Sequence, residues 1–186
     1  MLIIQKIMKS GFKLNKVTFK LREGDKAGNL NECAIGGKWV DKTTDDFFKG
    51  KRVVLFSLPG AFTPTCSSQQ LPGFEKNYDK LLSLGVDEIY CISVNDGFVM
   101  NAWFEDQGVK NVKPLADGSA EFTVAVGMKV QKDNVGFGSR SWRYSCVIDD
   151  GVIEKVFIED GFGNNAGTDP FEVSDADTML DYVKES

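Results

Sequence analysis

Histidine is absent from all 186 residues. That gap removes imidazole acid–base catalysis, Ser-His and Cys-His nucleophile pairs, and histidine metal sites together. No apolar stretch approaches the roughly 20 residues that a membrane-crossing helix needs. The N-terminal run of Met1, Leu2, Ile3 and Ile4 stops at Gln5 and Lys6, too short for the apolar core of a secretion signal, so a cytoplasmic protein is the expectation. Positive charge is not in excess: 22 Lys and Arg against 27 Asp and Glu give a net charge of −5, and no basic cluster offsets it. A partner held through nucleic-acid phosphates is therefore not expected. The four cysteines, Cys33, Cys66, Cys91 and Cys146, are too widely spaced for a C-x-x-C redox or zinc pattern or a compact disulfide scaffold. No metal or cofactor is expected.

What is present is an ordinary globular composition, 42% hydrophobic and 26% charged, with no low-complexity tract, repeat or linker. One domain over residues 1–186 is the expected organisation. Residues 17–21 alternate like an edge strand, a polar loop with Cys33 follows up to Gly37, and residues 44–50 read as one helical turn with Thr44 as cap and Gly50 as stop. Residues 51–58 form a nearly continuous apolar run, expected of a central strand covered on both faces.

That run leads into Pro59-Gly60-Ala61-Phe62-Thr63-Pro64-Thr65-Cys66, which delivers one cysteine to the start of a helix. The first turn of a helix has unpaired N–H groups and a partial positive charge, which favour a thiolate and make it nucleophilic. Leu71, Phe74, Tyr78, Leu81 and Leu82 continue the helix at helical spacing, with a kink expected at Pro72 and a stop at Gly85. A second buried strand at 88–94, a helix capped by Asn95 or Asp96, a short strand or turn at 114–118 and a brief helix at 121–126 follow. Residues 142–148 and 152–157 flank Asp149-Asp150-Gly151 as a hairpin, and Ser174 with Asp177 forms a capping box that opens a last helix. This order of elements is that of an α/β thioredoxin-like fold, with an N-terminal extension and insertions.

Pro59, Thr63 and Cys66, together with Arg143, resemble the active-site signature of the peroxiredoxins. The runs 56–73 and 140–145 are similar to the peroxiredoxin-5 subfamily, and residues 169–180 to the peroxiredoxin part of bacterial peroxiredoxin–glutaredoxin hybrids. The resemblance extends from about Val17 to the end. It implies a thiol-dependent peroxidase for hydrogen peroxide and alkyl hydroperoxides. Cys66 is then the nucleophile, Arg143 a fixed cation for thiolate and peroxide, Thr63 a hydroxyl donor, and Pro59 a shield for the sulfur. It also implies a homodimer.

Two departures matter. Gln70 stands where many relatives have a histidine, and residues 161–168 lack the resolving cysteine that some relatives carry there. The expected cycle therefore uses one cysteine: a Cys66 sulfenic acid resolved by an external thiol, glutathione with glutaredoxin before thioredoxin. Loss of the histidine is expected to alter pH dependence without abolishing activity.

Plainer readings stand beside these. Thr63 also suits a turn or cap, Cys91 and Cys146 sit in apolar runs as core residues, and Cys33 reads as incidental, with a resolving role left open. A redox sensor, or a thiol-disulfide oxidoreductase, would use the same Cys66.

Overall fold

The structure is a computed structural model that describes residues 7–24 and 37–186. The N-terminal apolar run and Cys33, with most of the expected polar loop, lie outside the described residues.

Strands β1 (Thr18–Glu23) and β2 (Lys38–Thr43) pair antiparallel, Thr18 opposite Thr43, and lead into α1 (Thr44–Phe48). The cap of α1 falls one residue before the expected Thr44. Thr43 is extended and its N–H donates to Asp46 Oδ2 at 2.6 Å. Thr44 is buried inside the first turn, where its hydroxyl donates to the Asn15 carbonyl and accepts from the Val17 N–H.

The central sheet has five strands, and its middle strand is β3 (Arg52–Ser57). On one side β3 pairs in parallel with β4 (Glu88–Ser93), which pairs in parallel with β5 (Lys113–Ala116). On the other it pairs antiparallel with β8 (Tyr144–Asp149), itself paired antiparallel with β9 (Val152–Ile158). The β8–β9 turn places Asp150 and Gly151 at positive φ, as a two-residue primed turn requires. Two short strands not expected from the sequence, β6 (Lys129–Gln131) and β7 (Ser139–Ser141), form a separate ribbon.

The period-2 geometry of β3 explains its continuous apolar run. Val54 and Phe56 face a core built with α2 (Leu71–Ser83), α3 (Gly97–Asp106) and α5 (Ala176–Glu185). Val53 and Leu55 face a second core with Phe19, Phe47, Tyr90 and Trp142, also joined by α4 (Glu121–Ala125) through Phe122. Phe56 stacks on Phe74 with centroids 4.1 Å apart, which fixes α2 on the sheet directly behind the 59–66 loop. Burial of each such ring contributes about 1.5–3 kcal/mol.

Three further expectations need correcting. The helix irregularity lies before Pro72: residues Cys66–Gln70 form a π turn in which the Leu71 N–H reaches the Cys66 carbonyl, and Pro72 then sits in the first turn of α2. Proline lacks the N–H for a regular bond back along the helix, and the wide turn absorbs that loss. The cap of α5 is Asp175, whose carboxylate accepts from the Asp177 and Thr178 N–H groups, while Ser174 is buried against Glu159. Arg143 lies in the break between β7 and β8 and not within a strand. The choice left open for α3 falls on Asp96, which accepts from the Val99 N–H at 2.9 Å.

Candidate active site

Cys66 sits at the open end of the helix behind β3, fully buried. The Ser67 N–H is the first to find a helical acceptor, the Thr63 carbonyl at 3.0 Å, so the Cys66 amide belongs to the electropositive leading turn. The loop before it is tightly bent. Phe62 holds φ at +62° with its side chain exposed, and Pro59 and Gly60 are buried beneath it. Asn95 Oδ1 accepts from the Ala61 N–H at 3.0 Å and from the Ser93 hydroxyl at 2.7 Å, tying the loop to the end of β4. Behind the sulfur, the Trp103 indole N–H donates to the Ser67 hydroxyl at 3.0 Å and fixes the turn against α3.

Arg143 crosses from the far side of β3 to reach this turn. Its Nη1 lies 3.5 Å from Cys66 Sγ and 2.6 Å from Gln70 Oε1, and its Nη2 donates to Asp169 Oδ2 at 2.6 Å. The Phe171 ring covers the guanidinium at 5.7 Å, and the residue is only 1% exposed. Burial works against its charge, but the Cys66 sulfur and the Asp169 carboxylate together hold its affinity for the proton above the usual arginine level. Its Nε is buried with no hydrogen-bond partner among the described residues.

The four residues expected to form the site are thus gathered within one loop and its facing arginine. Thr63 is placed beside the sulfur's turn, but its hydroxyl donates to the Gly60 carbonyl at 2.7 Å and not to Cys66. Cys91 and Cys146 lie wholly buried in β4 and β8, and burial pushes both thiols above the ordinary range.

Sequence reasoning missed several participants. Gln70, noted only as a replaced histidine, is as close a partner of Arg143 as Asp169 is; the π turn that aims it there has no local signature beyond Pro72. Asp169 and Arg140 stood inside the quoted runs, but only the fold shows what they touch. Glu159, 2% exposed, accepts from the N–H groups of Glu172, Val173 and Ser174 and from the Ser174 hydroxyl. It pins the strap of chain that carries Asp169 and Phe171 over Arg143.

A cysteine-bearing turn at the end of a central parallel strand pair, with helices packed on the sheet, defines a thioredoxin-like fold. A family model described as Redoxin matches residues 22–180. A Rhizobium etli protein named peroxiredoxin is 56% identical over 172 residues, covering 90% of this chain and 92% of that protein. A hybrid peroxiredoxin of Haemophilus influenzae is 50% identical over 173 residues, 93% of this chain and 65% of the relative. Among solved structures, the Plasmodium falciparum antioxidant protein, a 1-Cys peroxiredoxin, superposes with a TM-score of 0.85 at 32% identity, over 96% of this chain and all of that one. The chain belongs to the peroxiredoxin family and is a thiol-dependent peroxidase. No helix among the described residues is long and apolar enough to cross a membrane.

Proposed function

We propose that Cys66 reduces hydrogen peroxide and alkyl hydroperoxides in a one-cysteine cycle closed by an external thiol. The observation that carries the reading is the contact between Arg143 Nη1 and Cys66 Sγ at 3.5 Å, inside a buried, preorganised set of donors. The Cys66 thiolate attacks the terminal peroxide oxygen; the S–O bond forms as the O–O bond breaks, and the departing oxygen leaves as water or alcohol once protonated. Arg143 stays charged throughout and stabilises the negative charge as it moves from sulfur to the leaving oxygen. Its unpartnered Nε is a donor in reserve for a peroxide oxygen. Thr63, whose hydroxyl already orders the loop through Gly60, and Pro59, buried next to it, hold the approach to the sulfur. A well-placed donor of this kind is worth about 3 kcal/mol in the transition state.

The sulfenic acid then condenses with an outside thiol, losing water to form a mixed disulfide, and a second thiol displaces Cys66 as a thiol. Burial of Cys91 and Cys146 within the sheet supports an external partner, and the resemblance to hybrid peroxiredoxins supports glutathione with glutaredoxin. A homodimer and a cytoplasmic setting belong to the same reading, on the resemblance alone.

Intact mass spectrometry after one equivalent of hydrogen peroxide tests it. One added oxygen is expected on the unmodified protein and none on Cys66→Ser. Loss of two hydrogens instead would reveal an internal disulfide, through Cys33 or another thiol, and end the one-cysteine proposal.

A further inference from the structure

We propose that Arg140 is a second cationic residue of the Cys66 site, one that positions the 59–63 loop and adds its charge to the field at the sulfur. The inference rests on the reading of Cys66 as the nucleophile.

Arg140 is locked by three contacts. Its Nε donates to the Phe137 carbonyl at 3.1 Å, its Nη1 to the Val94 carbonyl at 3.2 Å, and its guanidinium lies 5.4 Å from the Phe137 ring centre. Beneath it is Gly60: a Cβ added there would sit 3.0 Å from Nη1 and 3.7 Å from Cζ, so the guanidinium rests on the bare backbone of the active loop. The carbonyl of that same glycine accepts the Thr63 hydroxyl. Arg140, Gly60 and Thr63 thus form a short chain of contacts from β7 to the residue three before the nucleophile. Together with Asn95, which holds the Ala61 N–H, Arg140 joins the loop to the end of β4.

The charge of Arg140 is fixed but not neutralised. Arg52 is paired with Glu154 and Arg143 with Asp169, whereas Arg140 has no carboxylate partner among the described residues. Its acceptors are two neutral carbonyls, which orient a cation without cancelling it. A half-buried charge without a counter-ion attracts an anion that forms nearby: burial lowers the hold of Arg140 on its proton, and the Cys66 sulfur, three residues along the loop from Thr63, works against that loss. Coulombic attraction acts on both partners, so a cation held on the Gly60 side of the loop also favours negative charge at Cys66. Arg143 and Arg140 would then divide the labour: the first touches the sulfur, the second holds the loop and supplies field from the Gly60 side.

The test measures two rates in reduced protein at pH 7: alkylation of Cys66 by iodoacetamide, followed on the Cys66 peptide, and kcat/KM for hydrogen peroxide with excess thiol. Arg140→Gln is expected to lower both by roughly tenfold. Arg140→Lys keeps the charge and loses the fork, so alkylation should stay within about threefold of the starting protein while kcat/KM falls further. Gly60→Ala leaves the charge in place but displaces the guanidinium, and should give an intermediate loss in both rates; it carries the test if Arg140→Gln does not fold. Unchanged rates in folded Arg140→Gln or in Gly60→Ala, or equal loss of alkylation in the Lys and Gln variants, would overturn the proposal. If the starting protein fails to turn over peroxide but its Cys66 alkylation still depends on Arg140, the peroxidase cycle is wrong and the role of Arg140 stands.

Discussion

The Nη1 of Arg143 is 2.6 Å from the Oε1 of Gln70 and 3.5 Å from the Sγ of Cys66, so the glutamine holds the guanidinium that faces the sulfur. Gln70 is itself fully buried, with its Nε2 near the carbonyls of Ser57 and Ser174. A neutral amide does this without responding to pH.

Gln70→Ala should therefore lower kcat/KM for peroxide by roughly tenfold, through a less well-aimed Arg143. Gln70→His should keep activity at neutral pH and lose it in acid. An imidazole beside a fixed guanidinium takes up a proton only below its ordinary value of about 6.5, and once charged it repels Arg143. Rates from pH 5 to 8 check this: the ratio of the His variant's rate to that of the Gln protein should fall as the pH is lowered through that range.

Arg143→Met should reduce the peroxide rate by about two to three orders of magnitude while the far-ultraviolet spectrum is unchanged. Arg143→Lys should also fall well below the parent, since one ammonium cannot span Gln70, Asp169 and Cys66 at once. Stopped-flow reduction of peroxide in single turnover isolates this step from the thiol steps. A near-normal rate for the Met variant would remove Arg143 from the mechanism.

The Glu159 clamp gives the strap over Arg143 a pH dependence of known sign. Burial works against the Glu159 charge, but hydrogen bonds from Ser174, Val173 and Glu172 win and hold its pKa below the ordinary glutamate value. Its contribution to stability is thus complete above the unfolded-state value, about 4.3, and is lost as pH falls through the folded-state value. The protection of the Glu172, Val173 and Ser174 amides, measured against the intrinsic exchange rate at each pH, should fall over that acid window. In Glu159→Gln the same amides should exchange faster at neutral pH and show no such acid step.

Cys91→Ala and Cys146→Ala should each keep peroxide turnover within about twofold and lose roughly 1 kcal/mol of stability from their packing. In the native protein neither should be alkylated on the timescale that labels Cys66, because both lie inside strands of the central sheet, where burial pushes their thiols up, whereas Cys66 sits at a loop-to-helix junction facing Arg143. Peptide mapping after timed alkylation reads both statements, and turnover lost with either cysteine would give that thiol a part in the cycle.

The sequence made the near-neighbour parts of the site legible. Pro59, Thr63 and Cys66 share one loop, and the strand before them announces itself by its apolar run, so local rules and the family resemblance place them together. Arg143 was legible only through that resemblance, since its strand-like surroundings hide the break between β7 and β8 where it sits. Gln70, Asp169, Arg140 and Glu159 could not be read, because each is defined by a contact across 26 or more positions or by a segment with no periodicity, as at 168–175. The cap errors have one cause. Thr43 and Thr44 offer the same hydroxyl, as do Ser174 and Asp175 similar acceptors, and tertiary demand decides: Thr44 and Ser174 are drawn inward by Asn15 and Glu159, leaving Thr43 and Asp175 to start the helices.

The π turn at Cys66–Gln70 sets durability against reactivity within five residues. A π turn holds one residue more than a regular turn, which widens the ring of hydrogen bonds and weakens the helix locally. Deleting one residue would restore the tighter geometry but swing the chain before it by about 100°, carrying the sulfur out of reach of Arg143. Selection for heat resistance alone would favour the deletion, so this turn is a place where an engineered, hardier variant should be expected to arrive inert.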